Sequence, residues 1–244
     1  KGFAMSVPSK IRIGVLGAGS FASRRHLPDI SASGEAEIVA LCRRDEAALR
    51  RMADHFGVPR TFTDYRRMLD EVPMDALLVA TPHALHYEHA RAGLERDLHV
   101  LLEKPMALSP ADARDLVKLS RERRRILLVA HNPPFWPHGH LLRKALRSEA
   151  FGELESADIS WLANVEAAFG KAPMPGRTSG VVPPTLYRGD PRLNGGGAFV
   201  DGGVHMVCEL LWATGLRARS VVGVMDDPLL DMRATVTVTL ENGA

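Results

Sequence analysis

The chain has 244 residues, which at about 150 residues per domain suggests one to two domains. Hydrophobic residues at 45% and charged residues at 25% exclude a disordered or fibrous protein, and its 21 glycines and 16 prolines follow no collagen-like period. Basic side chains number 31 and acidic ones 29, so a formal charge of +2 gives no field suited to nucleic acid or a membrane surface.

Lys1 to Ala4, ahead of Met5, read as an expression remnant, and no apolar run near the start is long enough for a signal peptide. Short apolar runs then alternate with helical stretches. The runs are Ile11 to Leu16, Glu37 to Cys42, Ala76 to Ala80, Leu98 to Leu102 and Ile126 to Ala130. Each is apolar on both faces, as for a parallel strand covered on two sides. Between them lie helix signals. Asp45 caps the run Glu46 to Phe56 and Gly57 ends it, and Thr63 caps Asp64 to Leu69. Thr81-Pro82 opens a helix that Gly93 closes, and Ser109-Pro110 opens Ala111 to Arg123. The pattern predicts a doubly wound α/β domain over residues 5–130.

His131-Asn132-Pro133-Pro134-Phe135-Trp136-Pro137 breaks that grammar and marks a junction. A helix Leu141 to Ser148, a strand Ser156 to Val165 and a Gly/Pro-rich stretch from Gly170 to Pro191 are expected next. A glycine-rich start at Gly195 leads into a helix Ala198 to Ala213, ended by Gly215, and strands follow at Ser220 to Met225 and Ala234 to Leu240. In the last strand Thr235, Thr237 and Thr239 alternate with Val236, Val238 and Leu240, so one face is wet or meets a partner. Residues 131–244 therefore read as an α+β domain with an open, mostly antiparallel sheet. No apolar run reaches 18 residues, and Cys42 and Cys208 stand far apart, which fits a reducing, cytoplasmic setting.

Four motifs carry chemistry. Gly17-Ala18-Gly19-Ser20-Phe21-Ala22 follows the first strand and matches the dinucleotide fingerprint: Gly17 for the turn, Gly19 for close approach of a pyrophosphate, Ala22 for helix packing. At the tip of the second strand Arg43 and Arg44 stand where an acid would hold the ribose of NAD, which favours NADP over NAD; the alternative is that Asp45 merely caps the next helix. Glu103-Lys104-Pro105 directly follows the apolar run Leu98 to Leu102, where Lys104 faces the cofactor crevice and can stabilise an alkoxide; the alternative is a surface lysine. Gly195-Gly196-Gly197 precedes Asp201 and His205, four apart on one helix face, either an acid/base pair or a structural one.

With Thr81-Pro82 and His86, these motifs in this order resemble the Gfo/Idh/MocA oxidoreductase family. The resemblance runs from Ile11 to Gly243. It implies a Rossmann domain, a second domain with an open sheet, NAD(P) as hydride carrier and sugars, polyols or related hydroxy compounds as substrates. It implies Lys104, Asp201 and His205 as the catalytic set, with Thr81, Pro82 and His86 lining the nicotinamide side. The chain departs from the family in having His83 after Thr-Pro, Pro133-Pro134-Phe135-Trp136 after the sixth strand, and Tyr187-Arg188 ahead of the glycines, where an aromatic ring suits the apolar face of a sugar.

In the oxidative direction His205 removes the hydroxyl proton, Lys104 steadies the alkoxide, and Asp201 holds a neighbouring hydroxyl. Rival readings are an NAD-dependent glycoside-cleaving enzyme and a non-catalytic sensor. His83, His86 and His89, and His138 with His140, lack the neighbours of a metal site, so no metal is expected. A homo-oligomer, dimer or tetramer, is expected through the open sheet. Asn242-Gly243 reads as a hairpin turn that wants a following strand, so the second domain is expected to be incomplete and its strand edge to lower solubility.

Overall fold

The computed structural model describes residues 10–148, 151–173 and 180–244; the expected remnant at Lys1 to Ala4 lies outside them. All five apolar runs of the first half become strands: β1 (Ile11–Leu16), β2 (Ala36–Cys42), β4 (Ala76–Val79), β5 (His99–Leu102) and β6 (Leu127–Val129). A sixth, β3 (Thr61–Phe62), is two residues long, too short to leave a periodic signal. The sheet order is β3-β2-β1-β4-β5-β6, with β1 parallel to β2 and β4. That order places a switch point between β1 and β4, where a doubly wound sheet holds its ligand.

Both faces of the sheet are covered. Along β4, Leu77 and Val79 join one buried cluster with Val100 and Leu116, while Leu78 joins the other with Val15, Leu41 and Met52. Each such side chain contributes about 1.5–3 kcal/mol on burial. The helices are α1 (Ser20–Arg24), α2 (His26–Ser33), α3 (Glu46–Phe56), α4 (Tyr65–Glu71), α5 (His86–Glu95) and α6 (Pro110–Glu122). Asp45 caps α3 through the Ala48 N–H, Gly57 ends it at φ 66°, and the Ser109 hydroxyl caps α6.

Three cap expectations need correction. Asp64 rather than Thr63 caps α4, because its carboxylate reaches the Arg66 N–H. Thr81 caps nothing: a short turn, His83–Leu85, intervenes before α5. Gly93 lies inside α5, where a Cβ would meet a Leu77 methyl at 2.9 Å, so it serves close helix–strand packing and the helix runs on to Glu95.

Contacts divide the chain into two compact units. The first holds the described residues up to Leu128 together with Gly180–Thr185, and the second holds the rest. Within the first, Val182 is buried and the Val181 N–H reaches the Ser23 hydroxyl at 3.2 Å.

The second unit contains α7 (Pro137–Leu146), α8 (Pro191–Asn194), α9 (Val204–Thr214), β7 (Ala218–Met225) and β8 (Ala234–Leu240). The helix expected at Leu141 starts earlier, with Pro137 in its first turn. Strands β7 and β8 pair antiparallel, Val221 opposite Val238. Val236, Val238 and Leu240 are more enclosed than Thr235 and Thr237, as the alternation predicts, while β7 is exposed along its length. Ser156 to Val165 forms no strand: no ladder partner is present among the described residues, and a strand exists only through its ladder. The helix expected from Ala198 is instead a π-helical turn, Phe199–Gly203, running into α9. At Asn242-Gly243 a turn does form, Gly243 taking φ 97° and donating to the Leu240 carbonyl at 3.0 Å. No described helix is long and apolar enough to cross a membrane.

Candidate functional site

In the first unit the chemistry-bearing residues gather at the carboxyl ends of β1, β2, β4 and β5. The N–H groups of Gly17 and Ala18 both donate to the Cys42 carbonyl at the end of β2 (3.0 and 3.2 Å), so the sheet itself shapes the turn. Gly17 takes φ 93°, and a Cβ there would lie 2.5 Å from the Ala80 carbonyl and 2.7 Å from the Thr81 nitrogen. Only glycine fits where the turns after β1 and β4 touch. A Cβ on Gly19 would meet nothing nearer than Arg43 Nη1 at 3.6 Å. The backbone is thus bare on that side. Ala22 is buried in the sheet-facing cluster, and Phe21 is exposed with its ring edge against His26.

Ser20, the first residue of α1, is 8% exposed, and its hydroxyl is buried with no hydrogen-bond partner among the described residues. A buried hydroxyl without a partner is costly. Here it stands at a helix start beside an open glycine backbone, the donor set a dinucleotide pyrophosphate takes. The residues present therefore fit that group.

Arg43 and Arg44 differ. Arg44 is exposed. The Arg43 side chain is only 14% exposed, and its Nη1 donates to the Ala18 carbonyl at 3.1 Å. Burial lowers its pKa, with Asp45 working in the opposite direction.

The turns after β4 and β5 carry Thr81, Pro82, Glu103 and Lys104. His83, His86 and His89 are all buried. His89 Nδ1 lies 3.0 Å from the Thr81 hydroxyl, and burial brings the His89 pKa down to about 4, so this ring is neutral. His86 reaches the Thr81 carbonyl through Nε2 (2.8 Å) and the Pro105 carbonyl through Nδ1 (2.7 Å). It is fully enclosed, so it touches a ligand only through the turns it joins. Glu103 is largely buried. Burial pushes its carboxyl up, but His26 Nε2 at 2.7 Å, aided by Lys104, leaves it below the usual range and charged. The Lys104 N–H also donates to Glu103 at 3.2 Å. Neither His26 nor its pairing was legible in the sequence, since its partner lies 77 residues away.

In the second unit Asp201 sits on the π-helical turn and accepts from Arg188 Nε at 2.9 Å; Arg188 in turn lies over the Tyr187 ring. Tyr187, Arg188 and Asp201 are thus brought together. Four residues make less than one π-helical turn, so the simple one-face spacing of Asp201 and His205 is loosened there. His205, in the first turn of α9, meets His131 edge to face at 6.0 Å. Asn194 bonds the Gly196 and Gly197 carbonyls from a fully buried position.

Asp231 holds this turn in place and had no sequence signal. It is 3% exposed, and its carboxylate accepts from Gly197 (3.0 Å) and Phe199 (2.8 Å) while its carbonyl accepts from Ala198 (2.7 Å). A Cβ on Gly197 would fall 1.9 Å from that carbonyl oxygen. No group of three metal-ligating side chains is placed to hold an ion among the described residues.

Residues 11–131 match the model of the GFO_IDH_MocA oxidoreductase family, described as an NAD-binding Rossmann fold. A dTDP-3,4-didehydro-2,6-dideoxy-alpha-D-glucose 3-reductase of Saccharopolyspora spinosa is 37% identical, over 80% of this chain and 53% of its own length. The D-glucoside 3-dehydrogenase of Escherichia coli is 27% identical, over 86% and 56%. The chain thus spans about half the length of these curated relatives. Among solved structures, the WlbA dehydrogenase of Bordetella pertussis, in complex with NADH and UDP-GlcNAcA, superposes with a TM-score of 0.82 at 26% identity, over 98% of this chain and 68% of that one.

Proposed function

Since the chain belongs to the Gfo/Idh/MocA oxidoreductase family, we propose that it transfers a hydride between a nicotinamide dinucleotide and a carbon of a sugar or related hydroxy compound. The observation that carries this reading is the Ser20 hydroxyl, buried without a partner at the head of α1 beside the bare Gly19 backbone. Gly19 and Ser20 receive the pyrophosphate, Gly17 shapes the turn, Phe21 lies exposed beside it, and Ala22 packs the helix against the sheet. Arg43 and Arg44 favour a 2′-phosphate, hence NADP over NAD. Thr81 and Pro82 line the nicotinamide side, with Glu103 and His86 behind them.

When bound, the nicotinamide supplies the site that accepts or returns the hydride. The chain's own residues supply the rest. Lys104 donates a hydrogen bond to the reacting oxygen and steadies the negative charge that develops there. His205 takes the hydroxyl proton on an imidazole nitrogen in the oxidative direction and returns it in the reductive one. Asp201, fixed by Arg188, accepts from a neighbouring hydroxyl, and the Tyr187 ring offers an apolar face to the sugar. The names of two relatives specify carbon 3 of a hexose derivative, which makes that carbon the first to test. The exposed valines of β7 support a homo-oligomer formed through the β7–β8 sheet, and the two unbridged cysteines support a cytoplasmic setting.

The test is fluorescence titration with NADPH and NADH, followed by a sugar and polyol panel at 340 nm with the preferred cofactor. Net change at 340 nm is the expected result; product without it points to the glycoside-cleaving reading, and no binding of either dinucleotide overturns both. Lys104→Ala should lower turnover about 100-fold or more while cofactor affinity changes little. Equal loss of both would remove the role given to Lys104.

A further inference from the structure

Lys104 follows directly on a residue that the fold holds twice. The Glu103 N–H donates to the Val79 carbonyl at 2.9 Å, which carries the β4–β5 pairing one residue past Leu102. The Glu103 side chain is held as well. Its Oε1 lies 2.7 Å from His26 Nε2, and its Oε2 accepts from the Lys104 N–H at 3.2 Å. The side chains of His26 and Glu103 are only 15% and 13% exposed. An ionised carboxylate only accepts, so the contact needs a proton on Nε2, which a neutral or a charged ring supplies alike.

His26 reaches this place because the chain breaks at Arg25. That residue takes φ −130° and ψ −73°, so α1 ends and α2 starts with His26. Leu27, next in the chain, is fully buried in one cluster with Val15, Ala22 and Leu78, which anchors the first turn of α2 against the sheet. The His26 ring also meets Phe21 of the glycine fingerprint edge to face, with centroids 5.4 Å apart. One ring therefore touches the fingerprint helix and the residue that precedes Lys104.

We propose that His26 is a positioning residue for Lys104: it holds the Glu103 carboxylate, and through it the Lys104 peptide, in register with the fingerprint helix. It acts through Glu103 and touches no reacting atom. The effect on rate rests on the hydride-transfer reading above.

A buried carboxylate needs its partners. Without His26, Glu103 loses its shortest hydrogen bond and turns toward another donor, and the Lys104 peptide moves with it. A displacement of about 1 Å at a group that steadies developing charge costs up to about 100-fold in rate.

The test compares two amides of different reach. Glutamine places its side-chain nitrogen where the imidazole Nε2 stood, and asparagine stops short of it. His26→Gln should keep turnover within about threefold of the wild type, measured at 340 nm on the best substrate of the sugar and polyol panel. His26→Asn should lose about tenfold or more, with KM and dinucleotide affinity changed far less. Turnover is counted per folded molecule, from urea unfolding of each variant. Equal turnover in the two variants would overturn the proposal, and so would a loss carried by KM or by dinucleotide affinity.

A second readout needs no substrate. In protein labelled with nitrogen-15, the Lys104 amide signal should move in His26→Asn and stay in His26→Gln; an amide unmoved in both would overturn the positioning role. If neither variant folds, the wild type decides. A proton on His26 Nε2 and a slowly exchanging Lys104 amide support the chain of bonds, and the absence of either overturns it. If the wild type turns over nothing with NADPH or NADH, the proposed function fails, while the amide signal still decides whether His26 holds Lys104.

Discussion

The two glycine-rich turns of this chain are held in opposite ways. The turn at Gly17 is shaped by its own sheet: two successive N–H groups bond the last carbonyl of β2, and the end of β4 fills the space a side chain would need. Among the described residues, the turn at Gly195 to Gly197 makes hydrogen bonds that reach no strand. It is held by Asn194 next door and by Asp231, 34 residues further on, through a buried carboxylate with two N–H donors. A sheet-built turn tolerates the loss of one side chain. A turn built on a buried polar network depends on every member of it.

Gly197→Ala tests this most severely. Its Cβ would sit 1.9 Å from the Asp231 carbonyl oxygen and 2.3 Å from the Asp231 nitrogen, so backbone must move against backbone. The cost should reach about 3 kcal/mol or more, at the upper end for overpacking. Gly17→Ala combines a 2.5 Å clash with a φ of 93°, and should cost a similar amount while also abolishing dinucleotide binding. Urea unfolding of both variants measures the cost, and a loss below about 1 kcal/mol at Gly197 would mean the Asp231 segment yields easily.

Asp231→Ala comes next. It orphans the buried Gly197 N–H, at about 1–3 kcal/mol, and the part-buried Phe199 N–H, at less. Asp231→Asn keeps one acceptor and should lose less. If both variants unfolded at the wild-type urea concentration, the second turn would stand without its network and the contrast would fall.

The same contrast explains what the sequence could reveal. Asp45 and Ser109 cap helices by bonds that span two or three residues, so their role is written locally. β1, β2, β4 and β5 are buried on both faces, so their apolar runs are unmistakable. Thr81-Pro82 imitated a cap because a residue-type rule cannot know that the hydroxyl will prefer His89. The fingerprint glycines were legible for the same local reason. His26, Asn194 and Asp231 were not, because each draws its meaning from a partner brought near by the fold. The strand expected at Ser156 to Val165 has the right residues, but a strand needs a ladder, and pairing is a long-range property.

The cysteines compare the two units chemically. Cys42 ends β2 in the core, and burial pushes its thiol up to about 12. Cys208 on α9 is partly exposed; burial raises its thiol too, with Glu209 adding to the effect. The thiolate is the reacting form, so Cys208 should label first with a thiol reagent at pH 8 and Cys42 only on unfolding. Mass spectrometry of partly labelled protein reads the order. Faster labelling of Cys42 would mean that the first unit opens more readily than the second.

The smallest effect belongs to a surface pair of the first unit. Asp75, just ahead of β4, accepts from Arg12 of β1 at Nε (3.0 Å), Nη2 (2.8 Å) and the backbone N–H (2.9 Å). The hydrogen bonds from Arg12 bring its carboxyl down to about 2. A carboxyl in an unfolded chain titrates near 3.9. Because the folded value is the lower one, the pair stabilises the fold above about pH 4, and that stability is lost as pH falls through about 2. Both side chains are more than a third exposed, so solvent screens the pair and it should contribute less than about 1 kcal/mol. Asp75→Asn should therefore lower stability slightly at pH 6 and not at all near pH 2, with the gap shrinking in added salt. Urea midpoints at the two pH values measure this. A gap that persisted at pH 2 would show that Asp75 acts through its shape and its neutral hydrogen bonds rather than through its charge.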